Sequence, residues 1–321
     1  MEAATIGLDI SKHAFHIHAI NGQGQMTARQ RLRRSEVMSF FSSLVPAWSA
    51  SRPAPPPPWA REIRRFGHDV RLIPPAYVKP YVRRGAKNDA ADAAVISEAV
   101  TRPNMRFVPV KSIENQGFLM LHRERGLLVR QRTMTACARA HFAEFGIVVE
   151  QGQQRVDGLV DLLDDEEPTL PADARMAPAA LVTQLKELDQ QVEAIERELA
   201  ELQRAHRMAK LLSLIPNIGP NTATALAATV PDPTMFRSGR EFAVWLGLTP
   251  KQNSTGGKDR LGRITKQGDA YLRHLLVIGA RNVVRYPEAR SRVGGGWIEA
   301  LLERRRCRGC QQVSPFGCRC S

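Results

Sequence analysis

The sequence predicts an α/β domain in front, a helical connector with a coiled coil, and a mostly α domain with a helix-hairpin-helix motif behind. Three observations predict it. Ile6–Ile10 is a short apolar run with one acid, and in Ala14–Ile20 the residues Phe15, Ile17 and Ala19 alternate with His16 and His18, the period of a strand. Leu181, Leu185, Leu188, Val192, Ile195, Leu199 and Leu202 step by four and three, the a/d spacing of a coiled coil. Ile215-Pro-Asn-Ile-Gly-Pro220 divides an apolar helix from an Ala-rich one. With 321 residues there is room for two modest domains and a connector. The boundaries expected are 1–111, 112–205 and 206–300, with a Cys-rich tail over 301–321.

The elements follow in order. Asn21-Gly22 reads as a hairpin turn and Gln25–Arg33 as the return strand. Ser35 reads as the cap of a helix over Glu36–Leu44. Pro46–Pro58 breaks the pattern, since Pro46, Pro53 and the run Pro55-Pro-Pro-Pro58 suit no central strand. Trp59–Phe66 reads as helix and Val70–Ile73 as strand, ended by Pro74-Pro75. Asn88–Val100 reads as helix, which completes an α/β pattern. Ile113–Phe145 reads as one long basic helix bearing Arg123, Arg125, Arg130, Arg132 and Arg139, and Gln151–Pro178 as a polar loop. The Leu181–Leu202 seam suits helix pairing within or between chains, or an amphipathic helix packed on its own chain. Ala209–Val230 is a helix-hairpin-helix whose turn amides and helix N-terminus at Gly219 can hold a DNA phosphate, or else an ordinary αα-hairpin.

Charge narrows the partners. Lys and Arg number 46 against 32 acids, a net charge of +14, with a pI near 10.2. Such a surplus points to nucleic acid or an anionic membrane surface. No run approaches the roughly 18 apolar residues of a membrane span, and Glu2 and Asp9 stand where a signal peptide would be basic and apolar. A soluble intracellular protein that binds nucleic acid, with no membrane partner, is expected.

Several residues could carry chemistry. Asp9 sits in an apolar strand, where a lone carboxylate needs compensation. Asp89 and Asp92, at i and i+3, share one helix face. Three such acids could hold divalent metal through oxygen, and two metals would serve phosphodiester chemistry. The plainer reading is that Asp89 and Asp92 are first-turn acids favoured by the helix dipole. Asn253-Ser-Thr-Gly-Gly257 reads as a flexible loop, near Lys251, Lys258, Arg260, Arg263 and Lys266, which suit a phosphate. Ser254 there is either a nucleophile or a hydrogen-bond donor in a phosphate-gripping loop, with Thr255 the second hydroxyl. His16 and His18 read as surface histidines rather than metal ligands.

Gly7-Leu-Asp-Ile-Ser-Lys12, Leu72-Ile-Pro-Pro-Ala-Tyr-Val-Lys-Pro-Tyr81 and Lys87-Asn-Asp-Ala-Ala-Asp-Ala93 resemble the N-terminal half of the DEDD-type insertion-sequence transposases of the "IS one-ten" group. Ile215-Pro-Asn-Ile-Gly-Pro220, Trp245-Leu-Gly-Leu-Thr-Pro250, Asn253-Ser-Thr-Gly-Gly-Lys258 and Arg263-Ile-Thr-Lys-Gln-Gly-Asp269 resemble the C-terminal half. The resemblance spans residues 4–45 and 59–300. It implies an RNase-H/RuvC-like front domain whose four acids bind Mg2+, with the first, third and fourth acids at Asp9, Asp89 and Asp92. It implies a serine in the back domain, at Ser254, that links covalently to DNA. It further implies DNA at the element ends and target, a non-coding bridge RNA, a homo-oligomer (dimer or tetramer) with composite sites, and a place in the bacterial cytoplasm or nucleoid. The alternatives are a non-catalytic nucleic-acid-binding derivative and a RuvC-like nuclease that only cuts.

The chain departs from the family twice. The second acid should lie in a Gly-x-Glu-Ala strand before Trp59, but no acid stands between Glu36 and Glu62. A permitted codon choice for Trp48–Pro55, read in another frame, gives Val-Gly-Ile-Glu-Ala-Cys-Ala, the missing motif. In the tail, Cys307, Cys310, Cys318 and Cys320 could form a zinc set, yet another frame of Arg306–Gln312 allows Ala-Val-Ala-Val-Ala-Asn-Lys, a continuing helix. Both breaks read as frameshift damage. The front sheet is then expected to lose the strand that carries the second acid. Cys137 reads as a core residue.

Overall fold

The computed structural model describes residues 4–11, 13–45, 48–51, 58–81, 89–102, 105, 107–136, 144, 146, 172–292 and 295–304. The four tail cysteines and Cys137 lie outside them, as does 151–171 of the expected polar loop. The chain divides into two compact units, Met1–Ile113 and Glu114–Ser321.

The first unit is built on a five-stranded sheet. Strands β1 (Thr5–Ile10), β2 (Ala14–Ile20) and β3 (Met26–Arg33) form an antiparallel meander. Asn21 Oδ1 accepts from the Gln23 and Gln25 amides at the β2–β3 turn, and Gly24, at φ 79°, supplies the left-handed residue. The helix expected from Ser35 begins instead with a 3-10 turn at Arg34–Glu36, where Glu36 Oε2 accepts from the Arg33 amide at 2.8 Å, and continues as α1 (Val37–Ser42).

The expectation of a lost strand is corrected. Trp48–Ser51 forms β4, which pairs in parallel with β1 and with β5 (Asp69–Leu72), giving the order β3-β2-β1-β4-β5. The reason is local. The four residues Trp48-Ser-Ala-Ser keep all their amide donors, and the first proline after them is Pro53.

Helix α2 (Pro58–Arg65) follows, then β5, a short helix α3 (Pro75–Val78) at the Pro74-Pro75 break, and α4 (Asp89–Val100). Alternation sorts the sheet residues. Ile6, Leu8, Phe15 and Ile17 join Val37 and Phe41 of α1 and Ala60 and Ile63 of α2 in one core. The other face carries α4. A Cβ on Gly7 would lie 2.1 Å from the Ala93 carbonyl oxygen and 2.6 Å from the Ser97 nitrogen, so only glycine admits the helix so close.

The second unit is mostly helical. Helix α5 (Ile113–Ala136) covers most of the described part of the expected Ile113–Phe145 helix, and Glu144 lies in a turn. Helix α6 (Ala172–Ala205) starts inside the expected polar loop and runs 34 residues. Leu185, Leu188, Val192 and Leu199 of its seam are buried within the single chain. Arg125 pairs with Glu196 and Arg132 with Asp189, a step of seven forward on α5 and seven back on α6, so the two helices run antiparallel. These arginines, read from the sequence as part of a basic helix face, neutralise α6.

Next come α7 (Arg207–Leu212), a turn, α8 (Pro220–Thr229), α9 (Gly239–Trp245), strands β6 (Pro250–Gln252) and β7 (Leu261–Ile264), α10 (Ala270–Arg285), α11 (Pro287–Arg292) and α12 (Gly295–Arg304). Helix α8 is buried along its length from Thr222 to Thr229, and Leu226, Leu246 and Leu272 knit α8, the end of α9 and α10 into one core. Among the described residues no helix is long and apolar enough to cross a membrane.

Candidate active site

The first cluster lies where β1 meets α4. Thr5 shares a cavity wall with Ser97 and Thr101, while Gly7 meets Ala93 and Ser97. Strand and helix therefore run antiparallel. Asp9, two residues beyond Gly7, comes level with the first turn of α4, roughly 6 Å before Ala93 along the helix. Asp9 is buried and Asp92 half-buried. Asp89 opens α4, and its side chain lies outside the described residues.

Among the described residues no three of His, Cys, Asp and Glu gather at metal-holding distance. Asp9 and Asp92 are the hard oxygen donors that Mg2+ takes, but the described β4 brings no carboxylate to join them. Its Ser51 stands level with Leu8, one residue short of Asp9.

The two histidines are not loose surface residues. His16 stands opposite Asp9 and His18 opposite Gly7, on the sheet face that α4 covers. Ser97 Oγ donates to the Ala94 carbonyl at 2.7 Å, so at 2.9 Å the His18 Nδ1–H donates to Ser97 Oγ. Burial, and then the Arg29 guanidinium, hold His18 below its ordinary pKa.

The second cluster is the β6–β7 hairpin. Gly256 and Gly257 have φ of 56° and 75°, and the Lys258 amide donates to the Thr255 carbonyl at 3.1 Å. That is the backbone of a two-residue type I′ turn. The glycines, read from the sequence as a flexible loop, thus have a fixed turn to make. The turn sets residue 254 opposite 259.

Ser254 Oγ accepts from the Arg260 amide at 3.0 Å and from Gln252 Nε2 at 2.9 Å, and donates to Asp259 Oδ1 at 3.3 Å. Lys251, Lys258, Arg260, Arg263 and Lys266 are exposed along the hairpin and its base. Thr255 is exposed, and among the described residues its hydroxyl has no such set of partners, its backbone instead closing the turn. Asp259 and Gln252 escaped the sequence reading, although the Gly-Gly turn was the signal that would have paired 254 with 259.

The hairpin stands on a rigid base. Gly247, at φ 72°, admits the Gln267 amide, which a Cβ would meet at 2.6 Å, and a Cβ on Gly268 would lie 2.1 Å from the Trp245 carbonyl oxygen. Lys266 adopts φ 55°, rare for a side-chain-bearing residue, and its amide donates to the Gly247 carbonyl at 3.0 Å. Asp269 then caps α10, accepting from the Tyr271 and Leu272 amides.

Below this base lies a polar network absent from the sequence reading. Thr224 Oγ1 donates to the Pro220 carbonyl at 2.7 Å, so the buried His122 donates from Nε2–H to Thr224 Oγ1 at 3.0 Å and accepts at Nδ1 from the Tyr271 hydroxyl at 3.1 Å. Burial, and then Arg125, lower the His122 pKa from 6.5 to about 4. Neutral His122 ties α5 to α8 and α10. Gly219, the N-cap of α8, is exposed, with open space around it.

Residues 209–293, which hold this hairpin and its base, match the Transposase IS116/IS110/IS902 family. The chain is 43% identical over 304 residues to the putative transposase y4pF/y4sB of Sinorhizobium fredii, covering 94% of this chain and 78% of that one. The chain belongs to this transposase family. The transposase is also 42% identical over 316 residues to a probable family 20 transposase of Pseudomonas aeruginosa, covering 95% and 91% of the two chains. It is 36% identical over 307 residues to the transposase for insertion sequence element IS1328 of Yersinia enterocolitica, covering 93% and 89%. Activity as a transposase or recombinase is therefore the family assignment, and DNA is the partner that goes with it.

Proposed function

We propose that this transposase cuts and joins DNA with two sets of residues, the acids Asp9, Asp89 and Asp92 and the nucleophile Ser254. The observation that carries the reading is the Ser254 hydroxyl itself, half-buried at an exposed hairpin and aimed at a carboxylate, with five exposed cations on the hairpin and its base. The sheet order β3-β2-β1-β4-β5, with helices on both faces, supports an RNase-H/RuvC-like front domain.

Each residue has a role. Ser254 Oγ attacks phosphorus, the phosphorus bond to the leaving sugar oxygen breaks, the serine proton passes to Asp259, and the departing oxygen takes a proton from solvent. The Arg260 amide and Gln252 orient the hydroxyl. Lys251, Lys258, Arg260, Arg263 and Lys266 neutralise the phosphate backbone. The open amides at Gly219 hold a further phosphate. Asp9, Asp89 and Asp92 would hold Mg2+, which neutralises charge at a phosphodiester when bound. DNA ends and target, a bridge RNA and a second copy of the chain complete the assembly that this reading requires.

The missing acid supports a second statement, that this copy is impaired. The Trp48–Ser51 strand carries no acid, in keeping with frameshift damage. The test is a covalent protein–DNA adduct. In a chain whose Trp48–Ala54 segment is replaced by Val-Gly-Ile-Glu-Ala-Cys-Ala, Ser254→Ala should abolish the adduct and leave DNA binding intact. An adduct that survives Ser254→Ala and vanishes in Thr255→Ala would move the nucleophile one residue on.

A further inference from the structure

Ladder registers set rows of residues across the sheet of the first unit. Asp9 stands opposite His16, and His16 opposite Arg31. Gly7 stands opposite His18, and His18 opposite Arg29, while Ala14 stands opposite Arg33. Residues directly opposite one another share a face, so Arg29, Arg31 and Arg33 rise on the same face as Asp9. The other face of β3 is accounted for, since Ala28 and Leu32 pack against the core of Ile6, Phe15 and Ile17.

Helix α4 packs on β1, β2 and β4. Among the described residues it does not pack on β3, the sheet edge, to any comparable extent, and all three arginines are exposed. None of them is in an ion pair among the described residues. Alternate residues of a strand are about 7 Å apart, a spacing that successive phosphates of an extended single strand can follow. Arg31 lies two strands from Asp9, about 10 Å away across the ladder. A strand gripped there would reach the acids within one or two nucleotides.

We infer that Arg29, Arg31 and Arg33 form a phosphate track for one extended nucleic-acid strand leading to the acid cluster. The inference rests on the reading of Asp9 as part of the cutting site. Phosphate contact from guanidinium does not itself distinguish DNA from RNA, so the shared chemistry is the single-stranded phosphodiester backbone. Exposed charge on an edge strand also blocks edge-to-edge association, a role that the test separates from binding.

The test uses the full chain and fluorescent 20-nucleotide single-stranded DNA, single-stranded RNA and duplex DNA, with anisotropy read across a salt series. A chain carrying R29Q, R31Q and R33Q should bind single strands about tenfold or more weakly, and the slope of log affinity against log salt should fall by about 2, as expected for three lost contacts. The matching chain with R29K, R31K and R33K should keep the slope. Loss on DNA alone, or on RNA alone, identifies which strand uses the track. An unchanged slope, with or without aggregation, would overturn the inference, as would loss confined to duplex. Photo-crosslinking of the unmodified chain gives a second measurement independent of variant folding. Crosslinks should fall within Met26–Arg33, and their absence there, with crosslinks at the serine hairpin, would overturn it. Neither experiment requires cleavage, so the track can fail while the cutting site stands, and the reverse.

Discussion

At the residue scale, the roles proposed for Ser254 and Asp259 rest on single hydrogen bonds. Ser254 has two donors on its oxygen and gives its own proton toward Asp259. In the chain with Trp48–Ala54 replaced by Val-Gly-Ile-Glu-Ala-Cys-Ala, Asp259→Asn should therefore slow adduct formation by about 100-fold while binding holds, because a general base is typically worth that much or more. Single-turnover quenching on a labelled DNA end measures it, and an unchanged rate would remove Asp259 from the reaction. His122 makes a different prediction. Its pKa falls from 6.5 to about 4 on folding, so between those values the unfolded chain binds more protons and stability rises with pH. The contribution should be complete above about pH 6.5 and drop by about 3 kcal/mol as pH falls through 4. Urea titrations from pH 7 to 4 should show this slope and lose it in His122→Gln. Ser254 was legible in the sequence because its motif is local. His122, Thr224 and Tyr271 were not, since the three meet only after α5, α8 and α10 have packed.

At the scale of elements, alternation and heptads carried most of the pattern. The β1–β2–β3 meander and the α6 seam follow from periods that side-chain burial enforces. The short β4 did not, because the proline run hid four residues that can still pair. Its register now matters more than its existence. Trp48 and Ala50 stand level with Thr5 and Gly7, and Ser51 with Leu8. Position 51 is paired with Leu8 and not with Asp9, so Ser51→Glu alone should not restore activity. Val-Gly-Ile-Glu-Ala-Cys-Ala places apolar residues at 48 and 50, which belong with Ile6 and Leu8 on the core face. That shifts the pairing by one and brings the glutamate level with Asp9. Close packing sets a further expectation. Gly7→Ala pushes a methyl into the α4 backbone, and overpacking of this kind costs about 1–3 kcal/mol or more. Thermal melting of that variant should show the loss, and an unchanged midpoint would mean that α4 does not sit on β1.

For the whole molecule, the surplus of +14 is unevenly employed. Arg125 and Arg132 neutralise acids of α6, while the cations of the serine hairpin and the edge of β3 stay exposed. Charge composition alone could announce a nucleic-acid partner but not where it binds, because burial and pairing decide which cations are available. Leu185, Leu188, Val192 and Leu199 of the α6 seam are buried within one chain. The most direct measurement is a denaturing gel for covalent protein–DNA adduct on the element's own ends, with Mg2+ and the element's RNA supplied. Three chains are compared: the chain as it stands, the chain with Trp48–Ala54 replaced by Val-Gly-Ile-Glu-Ala-Cys-Ala, and that repaired chain with Ser254→Ala. We expect little or no adduct from the first, a clear adduct from the second and none from the third. A robust adduct from the unmodified chain, or one that survives Ser254→Ala, would contradict the account.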